Sequence, residues 1–223
     1  MTRRAVLALF ALAGCAPRHG GHRAEPGGPP CCGAISPDGA RLLRAIDNSR
    51  VEALWRAGWH VDWRTGEVDR PGPGGPESAT HCSAYAAAMA AQLGVYLLRP
   101  PEHPQELLAN SQMRWLREQG AAQGWRAVDL QAAQTQANAG ALVVAAYENP
   151  DPQRAGHIAI LRPSLKSRAA LLENGPDVAQ AGTFNSADTT VADGFRHHPG
   201  AWVAGGGGAL RFFAHAVDWT ALT

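Results

Sequence analysis

The sequence predicts an α+β domain whose helices come first and pack on one face of an antiparallel β-sheet made by the strands that follow. Helix-spaced apolar residues dominate up to Asn138, and short extended apolar runs dominate from Ala141 onward. Clusters of Gly, Pro and small polar residues separate the two kinds of segment.

Each element has its own signal. Ser36-Pro37-Asp38 can cap a helix that runs to about Ala57, with Leu42, Leu43, Ile46, Val51, Leu54 and Trp55 on its apolar side. Trp59 to Asp69 alternates around Thr65-Gly66 and reads as a hairpin, followed by a surface loop from Pro71 to Pro76. Ser78 or Thr80 caps a helix from about His81 to Leu93, ended by Gly94. A third helix, about Pro104 to Gln119, carries Leu107, Leu108, Met113, Trp115 and Leu116. A fourth runs from Asp129 to Asn138 and stops at Gly140. The expected strands are Ala141–Tyr147, His157–Leu161, Val178–Gly182 and Ala209–Ala214.

A chain of 223 residues has room for one domain with a real core, and 45% hydrophobic against 17% charged residues is a globular balance. The formal charge is +1 and Lys and Arg form no block, which argues against nucleic acid as a partner. The glycines and prolines crowd into Pro17–Pro37 and Pro71–Pro76. The first of these stretches makes residues 16–35 a flexible tether, with order beginning at Ser36.

The N-terminus reads as an export signal. Arg3 and Arg4 precede a short apolar run, Ala5 to Ala13, too short to span a bilayer. Leu12-Ala13-Gly14-Cys15 resembles the lipobox of bacterial lipoproteins. That resemblance implies removal of residues 1–14, acylation of Cys15, and a mature charge of −1 once the two early arginines are gone. Ala16 after the cysteine implies an outer-membrane, periplasm-facing location in a two-membrane cell, with the lipid anchor as the chain's contact with membrane. Cys31 and Cys32 could form a vicinal disulfide, or hold a metal with His19 and His22. Two linker thiols without a role is the plainer expectation, and no metal or cofactor is called for.

Cys82 stands apart. At the head of a helix its sulfur meets unpaired backbone N–H groups and the positive end of the helix dipole, which is expected to favour the thiolate. The helix behind it is slim (Ala84, Ala86, Ala87, Ala88, Ala90, Ala91), so it can lie close against a sheet. His157 follows Gly156 and opens an otherwise apolar strand, where it needs a partner or a cleft. A lone cysteine is more often a small core residue, and a lone histidine more often a satisfied one. Their occurrence in this order, helix cysteine then strand histidine, is what raises both as a nucleophile and a general base.

His81-Cys82-Ser83-Ala84-Tyr85, its alanine helix and Leu93-Gly94-Val95 resemble the nucleophile helix of the papain-like NlpC and CHAP cysteine hydrolases. Gly140-Ala141-Leu142-Val143-Val144 followed by Gly156-His157-Ile158-Ala159-Ile160 is similar to their first hairpin. The resemblance covers about Ser78 to Asn185. It implies a papain-like core over residues 36–223 and hydrolysis of amide bonds, often in cell-wall peptides. In these folds a polar residue on the next strand orients the imidazole. Gln180 is the candidate, as the polar residue of Val178–Gly182, and Asn185 is the alternative. NlpC proteins carry histidine and CHAP proteins glutamate there, so an amide is a departure. His81 stands where NlpC proteins have aspartate, and no role is transferred to it.

His197 and His198 read as surface residues before Pro199, with substrate contact the minor option. Trp202, beside Gly205–Gly208, is expected to edge a cleft. The leading expectation is therefore a peptidoglycan or peptide amidase with Cys82 attacking, His157 moving the proton and Gln180 orienting it. An acyl-lipid substrate for the same dyad has less support. The alternative from another class is a non-catalytic envelope lipoprotein that binds the wall or a partner protein.

Overall fold

The computed structural model describes residues 28–72 and 79–222. The segment expected to be an export signal, Cys15, His19, His22, Ser78 and most of the Pro71–Pro76 loop lie outside the described residues.

The fold is α+β. A two-stranded antiparallel ribbon pairs β1 (Trp59–Val61) with β2 (Val68–Pro71). The main sheet is antiparallel with strand order β3-β8-β4-β5-β6-β7. Its strands are β3 (Arg126–Val128), β4 (Leu142–Tyr147), β5 (His157–Leu161), β6 (Asp177–Gln180), β7 (Ser186–Thr190) and β8 (Arg211–His215). The central strands β4 and β5 are buried along their whole length, which matches their continuous apolar sequence. Among the described residues no helix is long and apolar enough to cross a membrane.

Helices cover both faces of this sheet, not one as the sequence suggests. On one face Leu142, Val144, Ala146, Ile158, Ile160 and Phe213 pack against α2 (Cys82–Gln92) and α3 (Leu108–Glu118). On the other, Val143, Ala145, Tyr147, Ala159, Leu161 and Phe212 pack against Ala133 and Ala137 of α4 (Leu130–Asn138), with Phe195 joining them. Strands with apolar residues at both alternating sets must bury both, so a second helical layer is required. α4 supplies part of it. The short helices α5 (Arg168–Asn174) and α6 (Val191–Gly194), not foreseen from the sequence, follow in the same half of the chain.

α1 (Pro37–Asp47) starts as expected, with Ser36 Oγ accepting from the Gly39 amide at 2.9 Å. It ends ten residues early. Arg50 takes a left-handed φ of 56° and Trp55 one of 48°, so Val51 to Trp55 enters the core through turns instead of helix. The payoff is local: Trp55 Nε1 donates to the Trp63 carbonyl at 3.1 Å. Gly66 at the hairpin tip (φ 71°) sits so close to the Trp55 ring that a Cβ there would lie 2.4–2.7 Å from it.

The linker expectation is corrected as well. Pro30 bridges to Ser167, the Cys31 amide donates to the Lys166 carbonyl at 3.0 Å, and Cys32 is buried. Cys31 and Cys32 are joined in a vicinal disulfide. Asn138, fully buried at the end of α4, holds this segment down: its Nδ2 donates to the carbonyls of Cys32, Gly33 and Ser164. Its Oδ1 accepts from the Ser164 amide and from Gln134. Order thus begins before Ser36, because one buried amide offers partners that a Gly/Pro-rich composition does not reveal.

Candidate functional site

The site lies where the start of α2 meets the leading end of β5 and the trailing end of β6. α2 is buried on nearly all sides, from Cys82 to Ala90, and its alanines let it sit close to β5. Its N-cap is His81, whose side chain caps nothing. Thr80 does not take that role. His81 Nε2 instead meets the Trp59 carbonyl at 2.8 Å, and burial lowers its pKa. This histidine ties the β1–β2 ribbon to the helix start.

Cys82 is 4% exposed and belongs to the core cluster beneath α2. Its sulfur has the amides of Ile158 and Ser83 for polar neighbours. Burial outweighs their help and pushes the thiol up to about 11, so the expected thiolate at the helix start does not form in the resting protein. Desolvation of the charged form exceeds what a few amide dipoles return.

His157 is also 4% exposed. Gly156 before it is obligatory, since a Cβ there would collide with the Tyr147 carbonyl and come within 2.4 Å of Asn110 Oδ1. The alternation of β5 turns the ring toward the face occupied by Phe195 and His198. Phe195 meets it edge-on with centroids 4.7 Å apart, and His198 stacks on it at 5.2 Å with planes 12° apart. Gln180 Oε1 lies 2.7 Å from His157 Nε2. Burial first, then the charge of His198, push His157 down to about 3, against the opposing pull of Gln180. The resting site therefore combines a neutral thiol with a neutral imidazole. Among the described residues no hydrogen bond joins the Cys82 sulfur to the His157 ring; the sulfur's contact with β5 is the amide of the next residue, Ile158.

Gln180 and Asn185 separate cleanly. Gln180 is buried against His157, and Gly194 makes room for it: a Cβ there would stand 2.7 Å from Gln180 Oε1. Asn185 does not reach the imidazole. Its Oδ1 accepts from the Gly182 amide, and its Nδ2 donates to the carbonyls of Val51 and Leu54 at 2.8 and 2.7 Å, tying the β6–β7 turn to the chain after α1.

A cleft of about 320 Å³ opens onto His157 and Gln180, and Thr80, Arg154, His197 and His198 also line it. Thr80 brings its wall to within two residues of Cys82. His198 is thus part of the site and not a bystander on the surface; no sequence signal distinguished it from His197, because only tertiary packing stacks it on His157. Trp202 does not edge this cleft. Its Nε1 donates to the Glu173 carbonyl at 3.3 Å, and its ring packs toward the Phe195 cluster. A larger hollow of about 1150 Å³ against β3 and β8 holds none of the candidate catalytic residues. Among the described residues no group of three or more His, Cys, Asp and Glu side chains is arranged to hold a metal.

No family model matches this chain, and no curated protein sequence does.

Proposed function

We propose that this protein is a papain-like cysteine hydrolase that cleaves amide bonds in peptides, with the peptides of the cell wall as the leading substrate. The observation that carries the reading is the His157–Gln180 contact, with Cys82 seated against the next residue of the same strand. With Gln180 accepting from Nε2–H, the other ring nitrogen, Nδ1, is left with a lone pair for a proton. The His157 ring rests on the Phe195 face of β5 while Cys82 packs with Ile158 on the other, so in this reading the two must be brought together on substrate binding. His157 then acts as a general base that takes the thiol proton as the sulfur attacks the carbonyl, instead of holding a preformed ion pair. The unpaired amides at the start of α2 are suited to stabilise the oxyanion of the tetrahedral intermediate. His157 then returns the proton to the leaving amine, and water releases the acyl group from sulfur.

Digestion of purified peptidoglycan, with fragments identified by mass spectrometry, tests the proposal. The protein should release fragments bearing a new carboxylate and a new amine, and Cys82→Ala should release none. Equal release by both proteins would end the cysteine-hydrolase reading.

A second reading, an envelope binding module, is favoured by the 4% exposure of Cys82 and its thiol at about 11. It expects retention on peptidoglycan that Cys82→Ala leaves unchanged, with no cleavage by either protein.

A further inference from the structure

The cleft beside His157 has an unusual chemical bias. Among the described residues its wall contains no carboxylate and no large apolar side chain, while Arg154, His197 and His198 all line it. Besides His157, its remaining polar side chains, Thr80, Asn149, Gln180 and Thr183, are neutral. Among the described residues Arg154 forms no ion pair, whereas Arg114 and Arg117 both engage Glu148 nearby. Of the two acidic residues on the same loop, Glu148 is taken up by Arg114 and Arg117, and Asp151 uses its Oδ1 to accept from the Gln153 amide at 2.9 Å; neither lines the cleft.

The loop that presents Arg154 is held in place. Asn110, 2% exposed on α3, donates from Nδ2 to the Arg154 carbonyl at 2.9 Å and accepts from the Asn149 amide at 3.0 Å. Asn149 closes the loop by donating to the Ala155 carbonyl at 3.2 Å. His198 is held by its stack on His157 and a tilted contact with Tyr147, centroids 5.6 Å apart. A guanidinium carried on a loop whose backbone is held, with two imidazoles, around a polar hollow that shows no counter-charge among the described residues suits a planar anion that accepts several hydrogen bonds.

We propose that this cleft is a carboxylate-binding subsite in which Arg154, His197 and His198 hold a free acid of the substrate close to the amide that is attacked. The proposal rests on the hydrolase reading for its position in the reaction, and it narrows the substrate class to acid-bearing peptides. Arg154 and His198 are specificity residues here, since they engage the substrate away from the scissile bond. Burial first, then His197 and Arg154, hold the His198 imidazole below its ordinary pKa, and a bound carboxylate would offset the cationic part of that shift.

The test uses the full chain carrying Cys82→Ser, so that turnover plays no part. N-acetylglycine and its neutral counterpart N-acetylglycinamide are titrated in turn at pH 6.5 while the histidine ring resonances are followed by NMR. N-acetylglycine should shift His198 and His157 and bind at least about tenfold more tightly than the amide, as expected where charge-assisted hydrogen bonds replace neutral ones. Arg154→Gln, at an exposed position, should bring the two probes to within about twofold. Equal binding of both probes, no shift by either, or a preference that survives Arg154→Gln would overturn the subsite. A carboxylate preference without any Cys82-dependent hydrolysis would sink the hydrolase reading and leave the subsite standing. Hydrolysis without the preference would do the reverse.

Discussion

Gln180 Oε1 and His157 Nε2 are 2.7 Å apart in a buried setting, and the orientation of the amide is fixed from its other end. Gln180 Nε2 donates to the Phe184 carbonyl at 3.4 Å, so turning the amide over would set two oxygens against each other. The amide oxygen therefore faces the ring, and the ring carries its proton on Nε2. An unremarkable strand glutamine thus sets the tautomer of the proposed general base.

The first prediction tests that contact. Gln180→Ala should lower kcat on the order of tenfold to a hundredfold, less than the loss from His157→Ala, because orientation is lost while the base remains. Gly194→Ala should lower kcat in the same direction, since its Cβ would stand 2.7 Å from Gln180 Oε1 and displace the amide. In a Gln180→Ala background the same Gly194→Ala change should cost little more, as coupled sites do. Additive losses in that double-mutant cycle would show that Gly194 acts by another route.

The second prediction concerns Cys82. With its thiol at about 11 and its surface nearly sealed, it should react slowly with iodoacetamide at pH 6 to 7. The rate should keep climbing with pH past 9 without a plateau in mild acid. His157→Ala should leave the rate at pH 6 unchanged, because a neutral imidazole offers no charge to hold a thiolate. Rapid labelling at pH 6 that His157→Ala abolishes would instead establish a resting ion pair. Peptide mapping keeps the count clean, since Cys31 and Cys32 are bonded to each other.

Cys82, His157 and Gln180 were legible because each leaves a local mark. A cysteine opens an alanine helix, a Gly-His pair opens an apolar strand, and a lone polar residue interrupts the strand after it. Their environments were not legible. The helix-start argument for a thiolate holds in water, but burial of the sulfur reverses it, and burial is a tertiary property. The second helical layer was legible too, because β4, and β5 after His157, are apolar at every position and not alternating, a pattern that demands cover on both faces. β3 and β7 escaped notice because they are short, polar and half-exposed edge strands. Asn138, the anchor of the disulfide segment, looks from sequence like an ordinary helix-ending asparagine.

The third prediction is that Asn138 matters more for stability than for chemistry. Asn138→Leu removes a buried amide that serves the carbonyls of Cys32, Gly33 and Ser164 and the Ser164 amide. Leaving buried polar groups unpaired costs about 1–3 kcal/mol apiece before relaxation, so a loss of at least a few kcal/mol is expected in chemical denaturation. Protection against amide hydrogen exchange should fall first at Cys31, whose bond to Lys166 depends on the same segment. A variant as stable as the wild type would mean that water replaces the amide at no cost.

The last prediction is a stability profile with two falling limbs. His157 is held at about 3 and His198 at about 4, and the pKa of His81 is lowered too, all with burial as the leading cause. Unfolded histidine titrates near about 6.5, so as pH falls below that value the unfolded chain takes protons that the folded chain refuses. Folding stability is therefore complete above about 6.5 and is lost progressively toward pH 3, at up to about 1.4 kcal/mol per pH unit for each such proton. Cys82 acts at the other end with the opposite sign. Its folded thiol at about 11 lies above the ordinary 9.0, so the unfolded chain ionises first and stability falls between those values. Thermal unfolding followed by circular dichroism should thus give its highest Tm between about pH 7 and 8.5. The window from 6.5 to 5 reads the histidines before most carboxylates titrate, and His157→Gln should make that limb shallower by close to one proton. An acid limb of unchanged slope in His157→Gln would mean that His157 accepts its proton in the folded protein, and the neutral-pair description of the site would have to be abandoned.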